Sequence, residues 1–482
     1  MIRIGDNNRI VLSCATRIFF ALFSIAATFT VLLSNCDIRG LEFLFLLPLS
    51  FAIACGYFGG FIVFCRQSIG MLVLFFIMLL RYVICPVLIC LSNSVVPGLN
   101  VSSGGFRWAI LMMLIELWTV VFACNYFWPK AIMRNDALEH HLGVKPYKLT
   151  WTGVLFLLAM AVLLLVRGHL PNVISHMSFW RTAATATDAL YTYDFDALII
   201  IRTTVCISLV SAIGGKAKKA KSDGLYFVVA CLISAINIVF YSYDARATIV
   251  ETTIATLFML TYFFPKYNKV LLVTAGVVLF YLIGENFFGG TVGVGYGNRT
   301  ETGYVLTHLS NAIELYTNNV STEGFAFDHA EQIKSCMTLA TPFSEVANYL
   351  QFTSLPGFRM IRRFFSDNPT TFSLFMTALG GKGFILSNAG WSYYYGGIVL
   401  GWIIDIVIHI LIVKLTIAFF SVRQRKHDVW AIYLSVFCEI ICAVGLMNNI
   451  LILLSTITGM PLYLYVFYKV NDMGNRWKVY RE

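Results

Sequence analysis

Charge is what this sequence has least of. Asp, Glu, Lys and Arg make up 12% of its 482 residues, about half the share of an average soluble protein. That supply cannot cover a water-facing surface, so a soluble enzyme is excluded. Metal-binding signatures are missing too. The 12 cysteines include no CxxC pair and no His/Cys ligand spacing, and they lie mostly within apolar runs, as Cys55, Cys85, Cys124, Cys231 and Cys442 do. They read as small buried hydrophobes, so neither a metal site nor a disulfide framework is expected. The glycine-rich stretch 289–297 lacks the GK[ST] ending of a phosphate-binding loop and follows an apolar run rather than a buried strand; it reads as a flexible exit from a membrane. No internal repeat is visible, which counts against carriers built from inverted halves. A cleavable signal is also missing, because Met1 to Ile10 is short and basic and the apolar run after it is long enough to stay in place.

Apolar sequence fills the space. Hydrophobic residues are 58% of the chain and the mean hydropathy is +0.76, concentrated in runs of about 20 residues, the length that crosses a hydrocarbon core of roughly 30 Å. The expected fold is therefore an all-α polytopic integral membrane protein. About twelve transmembrane helices are expected, near 13–34, 42–64, 69–91, 107–129, 150–166, 197–214, 225–243, 247–264, 269–287, 396–418, 429–447 and 449–468. The net charge of +10 is not a nucleic-acid footprint. Lys and Arg gather in every second gap, at Arg66, Lys130 to Lys148, Lys216 to Lys221, Lys266/Lys269, Arg423 to Lys426 and Lys469 to Arg481. That alternation places both termini in the cytoplasm.

With that orientation two outer segments stand out by length. One is 167–196; the other, 288–395, is far longer than an ordinary connection. The chain then divides into an N-terminal bundle of about nine spans (1–287), a large and partly helical extracytoplasmic loop or cap (288–395), and a C-terminal bundle of about three spans with a cytoplasmic tail (396–482). Within the loop, Val305, Leu309, Ile313 and Tyr316 fall close to a 3.6-residue period and predict a helix over 301–318.

The loop also carries GFRMIRRFFSDNP at 357–369. Arg359, Arg362 and Arg363 are spaced i, i+3, i+4, so a helix puts three guanidiniums on one face. Such a face binds a pyrophosphate through charge-assisted bidentate hydrogen bonds, or lies on anionic headgroups with Met360, Ile361, Phe364 and Phe365 inserted. Arginines within or at the edge of spans (Arg81, Arg202, Arg246) are costly and functional by default, unless they are neutralised as buried ion pairs. Arg202 and Arg246 join the loop arginines as pyrophosphate candidates. A transfer reaction also needs a group to take the acceptor's proton. Glu345, Asp367, His308 and Glu251 are the first candidates, with Glu331, His329 and His176 behind them. Asp194 and Asp196 form a lone DxD, which is better read as two solvated carboxylates. Trp391, Tyr393 and Tyr394 could stack on sugar rings, or simply anchor a span at the interface.

The stretch ILSNAGWSYYYGGIVLGWIID (385–405) resembles the segment by which bacterial O-antigen and capsule repeat-unit polymerases re-enter the membrane after their large outer loop. Gly390, Tyr393, Tyr395, Gly396, Gly397 and Gly401 carry the match. Trp391 departs from it, because that family often has Glu there. A carboxylate with a chemical role would have to come from elsewhere in this chain. The layout of spans and loop is similar over most of the chain. The resemblance implies a metal-independent glycosyltransferase without cofactors in the bacterial inner membrane. It would move a growing glycan from undecaprenyl pyrophosphate to the next lipid-linked repeat unit on the outer face. Membrane lipids, a chain-length regulator and a flippase are the partners implied, and nucleic acid is not among them. Two rivals are an O-antigen ligase, which shares donor and topology, and a repeat-unit flippase or other transporter, which should have two similar halves and short loops.

Overall fold

In the computed structural model the described residues are helical, with no strand among them. The structure describes residues 6–34, 36–59, 61–62, 68–136, 148–166, 192–218, 223–239, 246–274, 276–277, 302–350, 368–378, 385–425 and 428–479. The helices are α1 (Asp6–Leu33), α2 (Leu46–Tyr57), α3 (Ile69–Ser92), α4 (Ser103–Asp136), α5 (Trp151–Val166), α6 (Thr192–Ala217), α7 (Gly224–Val239) and α8 (Arg246–Phe263). There follow α9 (Thr302–Thr317), α10 (Val320–Asp328), α11 (Ala330–Cys336), α12 (Thr341–Tyr349) and α13 (Thr371–Ala378), then α14 (Asn388–Arg425), α15 (Val429–Val444), α16 (Ile450–Thr458) and α17 (Met460–Val479).

Among these, six stretches are long and apolar enough to cross a membrane: Cys14–Leu33, Ile69–Ser92, Ser103–Ala131, Ile200–Ala217, Asn388–Arg425 and Ile450–Gly474. Five more apolar helices are shorter, from Leu46–Tyr57 to Val429–Val444. Each of these coincides with an apolar run expected from the sequence, while the expected run 269–287 lies largely outside the described residues. The chain is thus an α-helical membrane protein. On α5 the exposed side chains Trp151, Leu155, Leu158, Val162 and Leu165 recur every three or four residues. A stripe of that size is untenable against water and suits lipid.

The helices divide into two compact units. One holds Ala137–Thr291, Phe419–Cys438 and Thr456–Glu482. Its polar ties include Asn471, whose Oδ1 accepts from Thr150 N (2.8 Å) and Thr150 Oγ1 (2.9 Å). The other holds Met1–Asp136, Val292–Ala418 and Glu439–Ser455, and it carries most of the residues relevant to function.

Two irregularities organise that unit. In α3 the turn Leu80–Ile84 is a π turn. Pro86 follows it, and a proline ring inside a helix clashes with the carbonyl four residues back, here that of Tyr82. Widening the turn relieves the clash. The Cys85 N–H then bonds to Leu80 O, so the Arg81 carbonyl loses its helical donor, and Pro86 has no N–H to offer in its place. In α14, Gly397 adopts φ +62° and ψ −156° inside the helix and breaks it into two, a conformation open essentially to glycine alone. A Cβ on Gly396 would lie 2.3 Å from the backbone nitrogen of Gly401, so the kink also requires that pair to be side-chain-free.

The helix predicted over 301–318 is present as α9, but α9 and α10 do not stay at the end of the unit as a cap. They form a hairpin that inserts as far as Arg81, halfway along α3. Its tip is Thr317-Asn318-Asn319, buried throughout. Asn318 takes the left-handed conformation at φ +54°, which asparagine tolerates. Asn319 caps α10, its Oδ1 accepting from Val320 N at 2.8 Å, and Glu314 accepts from Ser321 N at 2.9 Å. Asn319 Nδ2 donates to Arg81 O at 2.8 Å, filling the acceptor that Pro86 leaves empty. From the end of α10 onward, Phe325, Ala326, Ala330, Ile333, Phe375, Leu386 and Tyr394 pack with Val96 and Leu99 into one apolar core.

Candidate functional site

Two constellations of polar groups stand out, both within the unit that contains α3, α4 and α14. The first joins the outer segment to the start of α14. Glu345, on α12, is 1% exposed. Its Oε1 accepts from the Thr371 backbone N–H at 2.9 Å and from the Thr371 hydroxyl, and so caps the N-terminus of α13, where a negative charge is favoured. Its Oε2 accepts from the Trp391 indole N–H at 3.0 Å. Trp391 in turn lies against Tyr395, with ring centroids 4.9 Å apart. The Glu345 carboxylate is therefore held between the start of α13 and the Trp391 indole. Burial and the neighbouring Glu345 carboxylate push the Tyr349 phenol up.

The second constellation lies in the middle of the helices. Arg81, 1% exposed, sends Nη2 to Glu116 Oε2 at 2.6 Å and to Glu323 Oε1, while its Nη1 donates to Leu446 O at 3.0 Å. Asp405 and His409 stand one turn apart on α14, both fully buried. His409 Nε2 is 3.7 Å from Glu116 Oε1, and His409 Nδ1 is 3.4 Å from Asp405 Oδ1. This centre ties α3, α4, α10 and α14 together. Arg81 is thus neutralised by buried ion pairs, the structural reading that the sequence left open for span arginines. Its partners Glu116, Glu323, Asp405 and His409 are absent from the sequence-based candidates. For three of them a signal exists: Glu116 sits in LIELW, and Asp405 and His409 are spaced i, i+4 in DIVIH, all ionisable residues within apolar runs. Glu323 carries no such signal, because it lies in a polar stretch that the sequence places outside the spans.

The remaining candidates are placed as follows. Arg359, Arg362, Arg363 and Asp367 lie outside the described residues, as does His176. Arg246 begins α8 and its side chain is likewise outside them; the same holds for Asp194 and Asp196 at the start of α6. Arg202 donates from Nε to Asn237 Oδ1 at 3.0 Å, and Asn237 donates onward to Thr256 at 3.2 Å. Arg202 is therefore held in a network linking α6, α7 and α8. Glu251 is 3% exposed, and its Oε2 has no hydrogen-bond partner among the described residues. His308 is 8% exposed on α9. His329 Nδ1 lies 3.0 Å from Phe325 O, and Glu331 pairs with Lys334 at 3.3 Å in the open.

Of the three aromatic candidates, Tyr394 is a core residue, 3% exposed with its hydroxyl donating to Ala326 O at 3.1 Å. It offers no ring face to a sugar. Trp391 and Tyr393 are half-buried, and Tyr393 stacks edge-on with Phe327 and faces the Lys334 ammonium at 4.3 Å. An open cavity of about 680 Å³ is lined by Ile38, Val95, Leu99, Asn100, Ser102 and Asp328 among others, within the size range of small-ligand sites. Asp328 accepts there from Ser102 N and Ser102 Oγ at 2.5 and 2.7 Å. Comparison with known proteins returns no match to this chain, whether among family models, curated proteins or solved structures.

Proposed function

We propose that the chain is a membrane-embedded glycosyltransferase that polymerises lipid-linked oligosaccharide repeat units. The observation that carries this reading is the carboxylate of Glu345 held on Trp391. The segment 385–405 resembles the re-entry segment of O-antigen and capsule polymerases but has Trp391 where those proteins often have Glu. In three dimensions Glu345 brings the missing carboxylate to that side chain.

On this reading the chain crosses the bacterial inner membrane about twelve times, with both termini cytoplasmic and 288–395 belonging to the outer side, from which its α9–α10 hairpin enters the helices. The donor is a glycan on undecaprenyl pyrophosphate and the acceptor is the next lipid-linked unit. The bond from the glycan's anomeric carbon to the pyrophosphate oxygen breaks, and a bond to an acceptor hydroxyl oxygen forms. Pyrophosphate leaves with the electron pair, its charge met by Arg359, Arg362 and Arg363. The hydroxyl proton passes to a carboxylate, for which Glu345 is the first choice. Three donors, from Thr371 N, Thr371 Oγ1 and Trp391 Nε1, hold the Glu345 carboxyl in one orientation. It therefore suits a step in which the acceptor hydroxyl is positioned as its oxygen bonds to carbon.

A transporter is the second reading, favoured by one observation: ionisable groups buried midway along the helices beside the tip of an inserted hairpin, an arrangement used for ion and substrate sites in carriers. Deleting the gene in the source organism and resolving its surface polysaccharide on a gel separates the two. A ladder collapsing to lipid core plus one repeat unit, restored by the wild-type gene but not by Glu345→Gln or Arg362→Ala at equal protein level, supports the polymerase. Loss of all repeat units from the surface, with lipid-linked units stranded on the inner face, supports the carrier. Full-length chains from the Glu345→Gln strain would remove Glu345 from the mechanism.

A further inference from the structure

Five ionisable side chains meet in the buried centre. With their carboxyls ionised, Glu116, Glu323 and Asp405 supply three negative charges and Arg81 one positive, a surplus of two negative charges that no described side chain offsets while His409 is neutral. All five residues are at most 1% exposed, and uncompensated charge at such depth is costly.

The tautomer of His409 sharpens the point. Its Nδ1 lies 2.8 Å from the backbone carbonyl of Asp405. A carbonyl oxygen can only accept, so Nδ1 carries the hydrogen and Nε2 presents a lone pair. That lone pair faces Glu116 Oε1 at 3.7 Å, too long for a hydrogen bond even if Nε2 were protonated. Glu116 Oε1, both Asp405 carboxylate oxygens and His409 Nε2 have no hydrogen-bond partner among the described residues. Glu116 Oε1 and His409 Nε2 thus face each other as two acceptors, with the Asp405 carboxylate beside the same imidazole, 3.4 Å from its Nδ1.

We propose that Glu116, Asp405 and His409 bind a divalent first-row transition-metal ion in the core of the helix bundle. One ligand atom from each of the three lies within 4.8 Å of the others. Ligand atoms around a tetrahedral ion with bonds of about 2.1 Å are roughly 3.4 Å apart, so small side-chain rotations close the site. One imidazole nitrogen with two carboxylates suits zinc, manganese or ferrous iron better than magnesium or calcium, which prefer oxygen alone. Orienting contacts are present as well: the Asp405 backbone carbonyl fixes the imidazole, and Arg81, outside the ligand set, holds Glu116 by Oε2 so that Oε1 turns to His409. A divalent ion also brings the count of charges to zero. Being sealed, the ion enters as the bundle forms and acts as a lock between α4 and α14. It takes no part in the glycosyl transfer proposed above and stands or falls independently of it.

The test is metal analysis of the full chain purified in detergent, from cells grown with zinc, manganese or iron supplied in turn. About one equivalent of one of these metals per chain is expected, falling at least roughly tenfold in His409→Ala and Asp405→Asn but not in Glu331→Gln. Because the variants could misfold, wild-type protein is also warmed with a chelator. Its unfolding midpoint should drop and return when the metal is restored, with magnesium failing to restore it. Cobalt offered in exchange should give a visible absorption band that Glu116→Gln shifts. Metal well below one equivalent, together with a midpoint indifferent to chelator, would overturn the proposal and assign the missing charge to protons.

Discussion

Replacing Arg81 with methionine keeps most of the side-chain volume and removes the charge. It should rank among the most damaging single changes in the chain. Arg81 is 1% exposed and makes three interactions at once, with Glu116 at 2.6 Å, with Glu323, and with the Leu446 carbonyl at 3.0 Å. Removing one member of a buried ion pair costs about 3–5 kcal/mol, mainly because the partner charge is stranded. Two carboxylates are stranded here, so the upper part of that range is expected. An unfolding entropy of about 2.1 cal/mol/K per residue over 482 residues gives roughly 1 kcal/mol per degree, so the midpoint should fall by about 4–5 °C if the chain unfolds as one piece, and by more if this unit unfolds alone. The assay is thermal unfolding in detergent or nanodiscs, followed by tryptophan fluorescence. The diagnostic step is a cycle with Glu323→Gln, which removes a carboxylate partner of Arg81 outside the proposed metal ligands. If stranded charge is the cause, the double variant should regain part of the loss, because a neutral replacement of both members of a buried ion pair is often tolerated. An Arg81→Met protein as stable as wild type, or a double variant no better than the single one, would refute the argument.

Other consequences are cheaper to check. Glu345→Ala leaves the Trp391 indole N–H and the first turn of α13 without their acceptor, so about 1–3 kcal/mol of stability should be lost, and proteolysis between α12 and α14 should quicken. Gly397→Ala forces a side chain into φ +62°, at a cost of about 1–3 kcal/mol. Gly396→Ala adds a Cβ against Gly401 backbone and should lower expression further, whereas Ala at Gly56, with open space around it, should be neutral. The thiol of Cys90, as a hydrogen-bond partner, lowers the Cys36 thiol to about 6, so its thiolate share at pH 7 is well above that of an ordinary thiol. Alkylation of Cys36 should therefore be fast at pH 7, slow as pH drops through about 6, and be slowed several-fold at pH 7 by Cys90→Ala. A Cys36 rate unchanged by that substitution would show that Cys90 is not the cause.

How much of this was legible in the sequence depends on whether the signal was local. Apolar runs predicted the helices, because a run of that length cannot be dissolved in water and its backbone must pair with itself. The 3.6-residue spacing of Val305, Leu309 and Ile313 predicted α9, yet the same spacing serves a helix lying on a membrane and one inserted among others, so it could not predict the hairpin's depth. The polar tip Thr317-Asn318-Asn319 even argued the opposite, since polar turns usually stay in water. What makes burial tolerable is supplied by a distant piece of chain: Pro86 frees the Arg81 carbonyl, Asn319 fills it, and Glu323 meets the guanidinium. Neither half means much alone. A proline and an arginine within one apolar run look like two local faults, and an asparagine pair in a long loop looks like an ordinary turn. The central residues were legible only where the cost was local, as for Asp405 and His409 one turn apart in an apolar helix. Glu323 was not, because a carboxylate in a polar stretch costs nothing until the fold carries it inside.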